Sequence, residues 1–217
     1  MTESIGGPVP PSAEAGDATP GAAPQWQERD AWTALADLDE SPSLVPAGEW
    51  PAGVTCLDRP GLFAWWSDEA GALDLSRGLG LTVAPGRIYA GQAGATKWPS
   101  GRPSTNTLGT RIGEMHLGGK VRMSTYRWSL AAVLFGQLEV QVQAAMLITA
   151  SSEQALTAWM REHLSVAVHA HDDRDTLGGL ERAVLLRLDP PLNLGQMPPA
   201  PVRARLTELR RRISRES

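Results

Sequence analysis

The chain has 217 residues, of which 42% are hydrophobic, and a formal net charge of −4 at pH 7, which fits one or two soluble domains. Because Cys56 is the single cysteine, a disulfide framework and a cysteine-based zinc site within one chain are excluded. No run of about eighteen apolar residues occurs, and the first residues lack the pattern of a signal peptide. We therefore expect a cytoplasmic protein without a membrane span.

Charge is divided unevenly along the chain. Residues 1–58 carry ten Asp or Glu and one Arg, a net −9, whereas residues 59–217 carry fourteen Asp or Glu and nineteen Lys or Arg, a net +5. Residues 1–25 are rich in Pro, Gly, Ala and Ser and are predicted to be disordered, because they cannot bury enough apolar surface to offset chain entropy. A mildly basic body suits a polyanionic partner, although such a charge is also ordinary.

Two short strands are predicted near the start of the basic body. A possible amphipathic helix at 25–38 and a proline-interrupted connector at 41–60 precede them. The segment 61–66 is rich in apolar and aromatic residues, and a loop at 68–80, in which 72–75 could form one helical turn, separates it from a second strand at 87–90. Two strands joined in this way predict an antiparallel pair.

The rest of the chain alternates predicted helices and strands. A polar loop at 93–107 carries Lys97 and Arg102, which suit either a nucleic-acid contact or a solvated surface. The elements predicted after it are a helix from Leu108 to about Gly118, a helix at 125–138 capped by Ser124, a strand at 138–150, a helix at 151–164, a strand at 165–171, a helix at 175–188 capped by Asp175, and a basic helix at 201–217.

Two charged residues are predicted on the apolar faces of helices. Glu181 lies four residues after Leu177 and four before Leu185, and Arg111 lies on the apolar side of its own helix. A carboxylate in that position is costly unless it is paired or binds a cation. Either Arg111 and Glu181 form a purely structural salt bridge, or they face one cleft as a phosphate-binding guanidinium and a metal-binding carboxylate.

Five motif elements follow one another in a recognisable order. They are Gly61-x-Phe63, Tyr89-x-Gly91, the helical Arg111, the helical Glu181 and the run Pro190-Pro191-Leu192-Asn193. In this order they resemble the GIY-YIG nuclease superfamily. The resemblance implies an α+β (α/β) fold, with a small antiparallel sheet flanked by helices. It also implies hydrolysis of DNA phosphodiester bonds with one divalent cation, Mg²⁺ or Mn²⁺.

The resemblance also implies roles for individual residues. Glu181 would hold the metal ion, and Arg111 would donate hydrogen bonds to the scissile phosphate. Tyr89 would position or deprotonate the attacking water, which requires a lowered pKa of its phenol if it acts as a base. His116 receives a secondary catalytic role, although it lies five residues after Arg111, where several relatives place a histidine four residues after the arginine.

Three residues are predicted to contact DNA, namely Lys97, Arg102 and Asn193, the last of which could instead orient the metal shell. On this interpretation residues 1–58 form an acidic, largely disordered leader, residues 59–197 form the nuclease domain and residues 198–217 form a basic C-terminal helix.

Other interpretations remain open. Phe63 stands where the family carries a tyrosine, so the protein could be a catalytically impaired nucleic-acid-binding module on the same fold. The acidic leader could instead occupy a basic cleft of its own chain. His169 and His171 lie on one face of a predicted strand and could bind a metal, but a polar strand end accounts for them equally simply.

Overall fold

The structure of the protein, a computed structural model, describes residues 26–39, 44–97 and 99–215. The segment 1–25, for which the sequence predicts disorder, lies outside these residues. Within the described part of the chain, no helix is both long enough and apolar enough to cross a membrane.

The elements alternate along the chain much as the sequence pattern suggests. In order they are α1 (Glu28–Asp39), β1 (Val45–Pro46), β2 (Gly61–Ser67), α2 (Glu69–Leu79), β3 (Gly86–Ala93), a π-helix (Thr110–Leu117), a 3₁₀ turn (Val121–Met123), α3 (Thr125–Val133), β4 (Val142–Ala144), β5 (Leu147–Ile148), α4 (Ala150–His163), β6 (Leu164–Ala170), α5 (Arg174–Leu188) and α6 (Pro201–Ile213).

One sheet forms the centre of the fold. Its strand order is β1-β6-β2-β3, and every neighbouring pair is antiparallel. In the central strand β2, Phe63 pairs with Gly91 of β3 on one side and with Val168 of β6 on the other. The predicted fold class, a small antiparallel sheet flanked by helices, is therefore confirmed.

Helices cover both faces of this sheet, because successive side chains of a strand point to opposite faces. Phe63, Trp65 and Ile88 face a core that is completed by α2, the π-helix, α3, α4 and α6. Leu62 and Ala64 face a second core, which is completed by α1 and α5. The sheet is thus buried on both faces, and the apolar runs of β2 reflect that burial.

Elements outside the predicted 59–197 nuclease domain also contribute to these cores. Ala31, Ala34 and Leu38 of α1 are fully buried against α5 and the sheet, and β1 adds a strand to the sheet. In α6, Leu206 is fully buried in the first core. Helices with one apolar stripe gain stability by covering apolar surface, so α1 and α6 pack on the body.

Helix α2 lies where the sequence predicted a loop. The Asp68 side chain caps it by accepting a hydrogen bond of 2.7 Å from the backbone N–H of Gly71, and Gly80 ends it in the left-handed conformation. Gly78 weakens the helical pattern of the sequence, because glycine is a poor helix former. In the structure, a Cβ at this position would overlap the carbonyl oxygen of Val133 in α3. The glycine therefore allows α2 and α3 to approach closely.

Two further expectations differ in detail. The strand predicted at 138–150 is a short hairpin, β4 and β5, in which Met146 adopts a positive φ of 55°. The cap of α5 is Asp173, whose carboxylate accepts from the N–H groups of Asp175 and Thr176, so this helix starts slightly before the predicted cap.

Candidate active site

A cavity of about 290 Å³ lies where β3, α3, α5 and α6 meet. Tyr89 of β3 and Glu181 of α5 both line it. The segment that follows α5 completes the wall with Asn193 and Gln196. Tyr89 and Glu181, two of the four residues with predicted catalytic roles, therefore share one cavity.

Helix α5 holds the Glu181 carboxylate at the edge of the buried core. Leu177 and Leu185, one turn before and one turn after it, are buried in the second core. The carboxylate accepts hydrogen bonds from the backbone of Gln92 and the side chain of Gln196, yet its burial raises the pKa to about 7. The net effect is a carboxylate whose charge is costly to keep in this environment.

Arg111 lies on the π-helix, which changes the spacing of side chains on that segment. The backbone N–H of Gly118 bonds to the carbonyl of Gly113 over 2.7 Å, five residues back, as in a π-helix. Residues five apart, such as Arg111 and His116, therefore lie about one turn apart on one side. In the sequence, His116 lies five residues after Arg111, where several relatives have a spacing of four. The wider turn of the π-helix compensates for this extra residue.

Arg111 and Glu181 do not form the structural salt bridge that was one of the two alternatives. Among the ion pairs of the described chain, none joins these two side chains. The guanidinium Nη1 lies 3.4 Å from Met115 Sδ, and its buried Nε has no hydrogen-bond partner in the described residues. Burial raises the pKa of both Glu181 and Tyr89, and the positive charge of Arg111 offsets part of that rise, so Arg111 acts on the site through space.

Tyr89 presents a neutral phenol to the cavity. Its ring stacks on Tyr126 with centroids 4.4 Å apart, and its hydroxyl is hydrogen-bonded to Thr125. Burial, with a contribution from Glu181, raises the pKa of Tyr89 to about 12. A phenol with this pKa orients a water molecule at neutral pH but does not take its proton.

A comparison with known protein families matches residues 82–212 to the GIY-YIG catalytic domain. The chain belongs to this family. The match begins just before β3 and ends within α6, so all of the cavity-lining elements lie inside it. No curated protein and no solved structure matches the chain.

In this GIY-YIG domain, His116 is a buried member of an aromatic cluster and does not line the cavity. Its ring lies 5.3 Å from that of Phe63 and 5.4 Å from that of Tyr126, and its Nδ1 is 2.8 Å from the Ser124 hydroxyl. Burial lowers the pKa of His116 well below its usual value, so the ring is neutral. Its catalytic role stays a prediction, and the contacts point to packing beneath Tyr89.

The three residues predicted to contact DNA lie in different environments. Asn193 is buried, and its side-chain amide accepts from the Ala90 N–H over 2.9 Å and donates to the Ala90 carbonyl over 2.8 Å. The amide thus fastens the chain after α5 to β3, next to Tyr89. Lys97 and Arg102 are exposed, are joined by a backbone bridge, and lie outside the cavity lining, so their DNA contact stays a prediction.

Arg210 lines the cavity, and the sequence analysis did not single it out. Its guanidinium has no hydrogen bond or ion pair among the described residues, and its burial lowers its pKa. The signal in the sequence is the same as for Glu181: Arg210 is four residues after the buried Leu206 and three before the buried Ile213. The arginine-rich composition of the helix obscured that register.

Helix α6 is held next to the cavity by a second arginine. Buried Arg203 donates from Nε to the carbonyl of Asn193 over 3.0 Å and forms an ion pair with Asp189, at the end of α5. These contacts join α6 to the segment that carries the cavity wall. The position of Arg210 is therefore set by packing and by a buried polar network.

The side chains at the site fit a cation that needs few protein ligands. The described residues contain no group of three or more His, Cys, Asp or Glu that could hold a metal. Among the described residues that line the cavity, Glu181 is the one carboxylate. Mg²⁺ accepts one carboxylate and keeps several waters, and a cation would offset the burial cost of Glu181. The other candidate metal ligands form hydrogen bonds within the chain, His169 with Asp37 and His171 with Thr176.

Proposed function

We propose that the protein is an endonuclease that hydrolyses DNA phosphodiester bonds with a divalent cation bound at Glu181. Membership of the GIY-YIG family supports a nuclease function in general. The observation that carries the finer proposal is the Glu181 carboxylate, which has a pKa of about 7 and shares a cavity with Tyr89 and Arg210. Neither Glu181 nor Arg210 forms an ion pair within the part of the chain that the structure describes.

Glu181 would hold Mg²⁺ or Mn²⁺ through its carboxylate, with Gln92 and Gln196 fixing the orientation of that group. When bound, the cation supplies Lewis-acid polarisation of the phosphate and stabilises the leaving oxygen. The remaining contributions come from side chains of this chain, each of which is oriented before the substrate arrives.

The two guanidinium groups would bind the phosphate. Arg210 lines the cavity itself, and Arg111 lies near enough for its charge to lower the pKa of Glu181 and Tyr89. Guanidinium groups form strong charge-assisted hydrogen bonds to phosphate oxygens, and such bonds strengthen as charge develops in the transition state. Because neither arginine is neutralised by Glu181, both remain available to the substrate.

Tyr89 would orient the attacking water. Its neutral phenol oxygen can accept a hydrogen bond from that water while the Thr125 hydroxyl holds the phenol in place. The raised pKa of Tyr89 argues against proton removal by this group in the absence of a cation. The role assigned to Tyr89 is therefore positioning of the nucleophile.

A plasmid-nicking assay tests the proposal. Purified protein is incubated with supercoiled DNA and Mg²⁺ or Mn²⁺, and open-circular and linear products are quantified. Wild type should nick the plasmid, EDTA should stop the reaction, and Glu181→Gln should abolish it. The matched control is Glu114→Gln, which replaces an exposed carboxylate on the π-helix with a carboxamide. This variant should nick normally. Nicking by Glu181→Gln at the wild-type rate would exclude the proposal.

A non-catalytic nucleic-acid-binding module is the second candidate, and Phe63 motivates it. The Phe63 ring is fully buried next to the rings of Tyr89 and His116 and carries no hydroxyl. If the family tyrosine at this position is required for chemistry, the protein would bind nucleic acid without cleaving it. Steeply salt-dependent DNA binding, combined with no nicking in any divalent cation, would favour this candidate.

A further inference from the structure

A second hollow, of about 480 Å³, adjoins the candidate active site. Leu194 and Arg210 line both the hollow and the cavity, so the two share part of their walls at these residues. The hollow lies between α6, α3 and the turn of the β4–β5 hairpin. Its size is within the range of pockets that bind small molecules.

The lining of this hollow combines two kinds of surface. Trp128, Met146 and Leu194 provide an apolar floor, and Arg210, Arg211 and Arg215 of the C-terminal segment provide a cationic rim. Arg211 and Arg215 are exposed and have no ion pair among the described residues, so their charges face solvent. An apolar floor inside a rim of guanidinium groups matches a ligand with a flat apolar part and anionic groups beside it.

A nucleotide in a single strand has this chemistry. Its base stacks on apolar or aromatic surface without sequence preference, while the flanking phosphates bind arginine. A purely apolar peptide would leave three guanidinium groups without partners, and a duplex would keep its bases stacked inside. The charge of the rim, and the position of the hollow beside the candidate active site, therefore favour an unstacked nucleotide.

We propose that the hollow holds the nucleobase next to the scissile phosphate, with the adjoining phosphates on Arg211 and Arg215. The proposal rests on the endonuclease function proposed above, and it specifies the substrate as DNA that is single-stranded or locally unpaired where it is cut. Arg210 lies at the junction and contacts the phosphate that separates the hollow from Glu181.

A comparison of binding by two probes that carry the same number of phosphates tests the subsite directly. Fluorescence anisotropy in EDTA compares a labelled oligothymidylate of about ten nucleotides with an abasic deoxyribose-phosphate strand of the same length. Wild type should bind the thymidylate at least about fivefold more tightly, since stacking of one base on a protein surface contributes about that factor or more. Equal affinity for the two strands would overturn the proposal.

Two variants alter the hollow in different ways. Thr207→Leu, which adds a branched aliphatic side chain to the lining, should occupy part of the hollow and reduce the preference for the strand with bases, without weakening binding of the abasic strand. Met146→Gly removes part of the floor at a residue whose φ of 55° suits glycine, so it should reduce the preference while the fold is retained. A preference that persists in both variants would exclude the hollow as the base site.

The rim is tested with the double variant Arg211→Ala/Arg215→Ala. It should weaken binding of both strands by a similar factor and flatten the salt dependence. Arg161→Ala, which removes an exposed arginine on α4 away from both cavities, is the matched control and should bind both strands like wild type. A double variant that binds like this control would overturn the phosphate assignment.

Failure of the subsite and failure of the endonuclease proposal give different results. If Glu181-dependent nicking occurs but bases do not affect binding, the subsite is excluded and the nuclease proposal stands. If bases affect binding through the hollow but no divalent cation supports nicking, the subsite stands as part of a binding module and the nuclease proposal is excluded.

Discussion

At the scale of single residues, the burial of Glu181 is the feature from which most consequences follow. A carboxylate at the edge of a core must be paired, protonated or bound to a cation. Glu181 has hydrogen-bond donors but no ion pair in the described chain, and its pKa of about 7 expresses the remaining cost. The group is therefore close to half-protonated at neutral pH until a cation or substrate compensates its charge.

The first prediction concerns stability and pH. The pKa of Glu181 in the folded state, about 7, is above its ordinary value of 4.5, so the group stabilises the fold most at low pH and that contribution is lost as the pH rises through about 7. Glu181→Gln removes the charge. Thermal melts in EDTA should therefore show the variant gaining on wild type at pH 8 relative to pH 5, by up to about 3 kcal/mol.

The control for this prediction is Glu114→Gln, which changes an exposed carboxylate in the same way and should show no pH-dependent difference from wild type. If the difference between Glu181→Gln and wild type is the same at pH 5 and pH 8, the pKa of Glu181 in the folded state is not raised, and the prediction is wrong.

The second prediction concerns the cation. On the proposed function, Mg²⁺ or Mn²⁺ would bind the ionised carboxylate, so protons would compete with the cation below a pH of about 7. Millimolar Mn²⁺ should therefore raise the melting temperature of wild type at pH 8 and have much less effect at pH 5. Glu181→Gln should show no increase at either pH. An equal increase in the variant would place the cation elsewhere on the protein.

At the scale of elements, the sequence predicted those segments whose apolar pattern is uninterrupted. Strands β2 and β3 and helix α5 are found close to their predicted positions, because alternation and helical periodicity are strong there. Helix α2 was missed because its glycines weaken the pattern, and the reason for Gly78 lies in a neighbouring helix that sequence reading cannot locate. The π-helix was not predicted either, since no local signal marks a spacing of five.

The candidate site shows the same division. Tyr89, Arg111 and Glu181 were proposed from motif order, and the structure brings Tyr89 and Glu181 to one cavity with Arg111 close enough to act on them electrostatically. Arg210 was missed because it is one of several arginines on α6, and which of them faces the site depends on how α6 packs. That packing involves Arg203 and the chain after α5, which are distant elements of the fold.

The third prediction separates two neighbouring arginines of α6. Arg210 lines the cavity and should act on the transition state, so Arg210→Ala should lower kcat for cleavage by roughly 10²-fold. Arg211 is on the rim of the second hollow and exposed, so Arg211→Ala should mainly raise KM and reduce its salt dependence.

These kinetic effects are measured on one fluorescent single-stranded substrate, with Arg161→Ala as the control for loss of one positive charge. Arg210→Lys should recover part of kcat, because it restores the charge but not the two-pronged geometry of a guanidinium. An Arg210→Ala variant with normal kcat and raised KM would assign this residue to general electrostatic attraction of DNA.

At the scale of the whole molecule, elements that precede residue 59 pack on the central sheet. Helix α1 covers the sheet face opposite the π-helix, with Leu38 packed near Leu62 and Leu185, and β1 pairs with β6. A deletion of residues 1–58, which the sequence interpretation treated as a leader, would therefore remove core elements. A deletion of residues 1–25 would remove no described element.

The fourth prediction compares these two deletions. Removal of residues 1–58 should expose the apolar face formed by Leu62, Ala64 and α5, and should destroy cooperative melting or cause aggregation. Removal of residues 1–25 should leave the melting temperature unchanged, since their composition predicts no packing. If the shorter deletion instead raises DNA affinity at low salt, the acidic segment competes with DNA for the arginines of α6. An unchanged DNA affinity after the shorter deletion would exclude that competition. A normal melt after the longer deletion would show that α1 is dispensable for the fold.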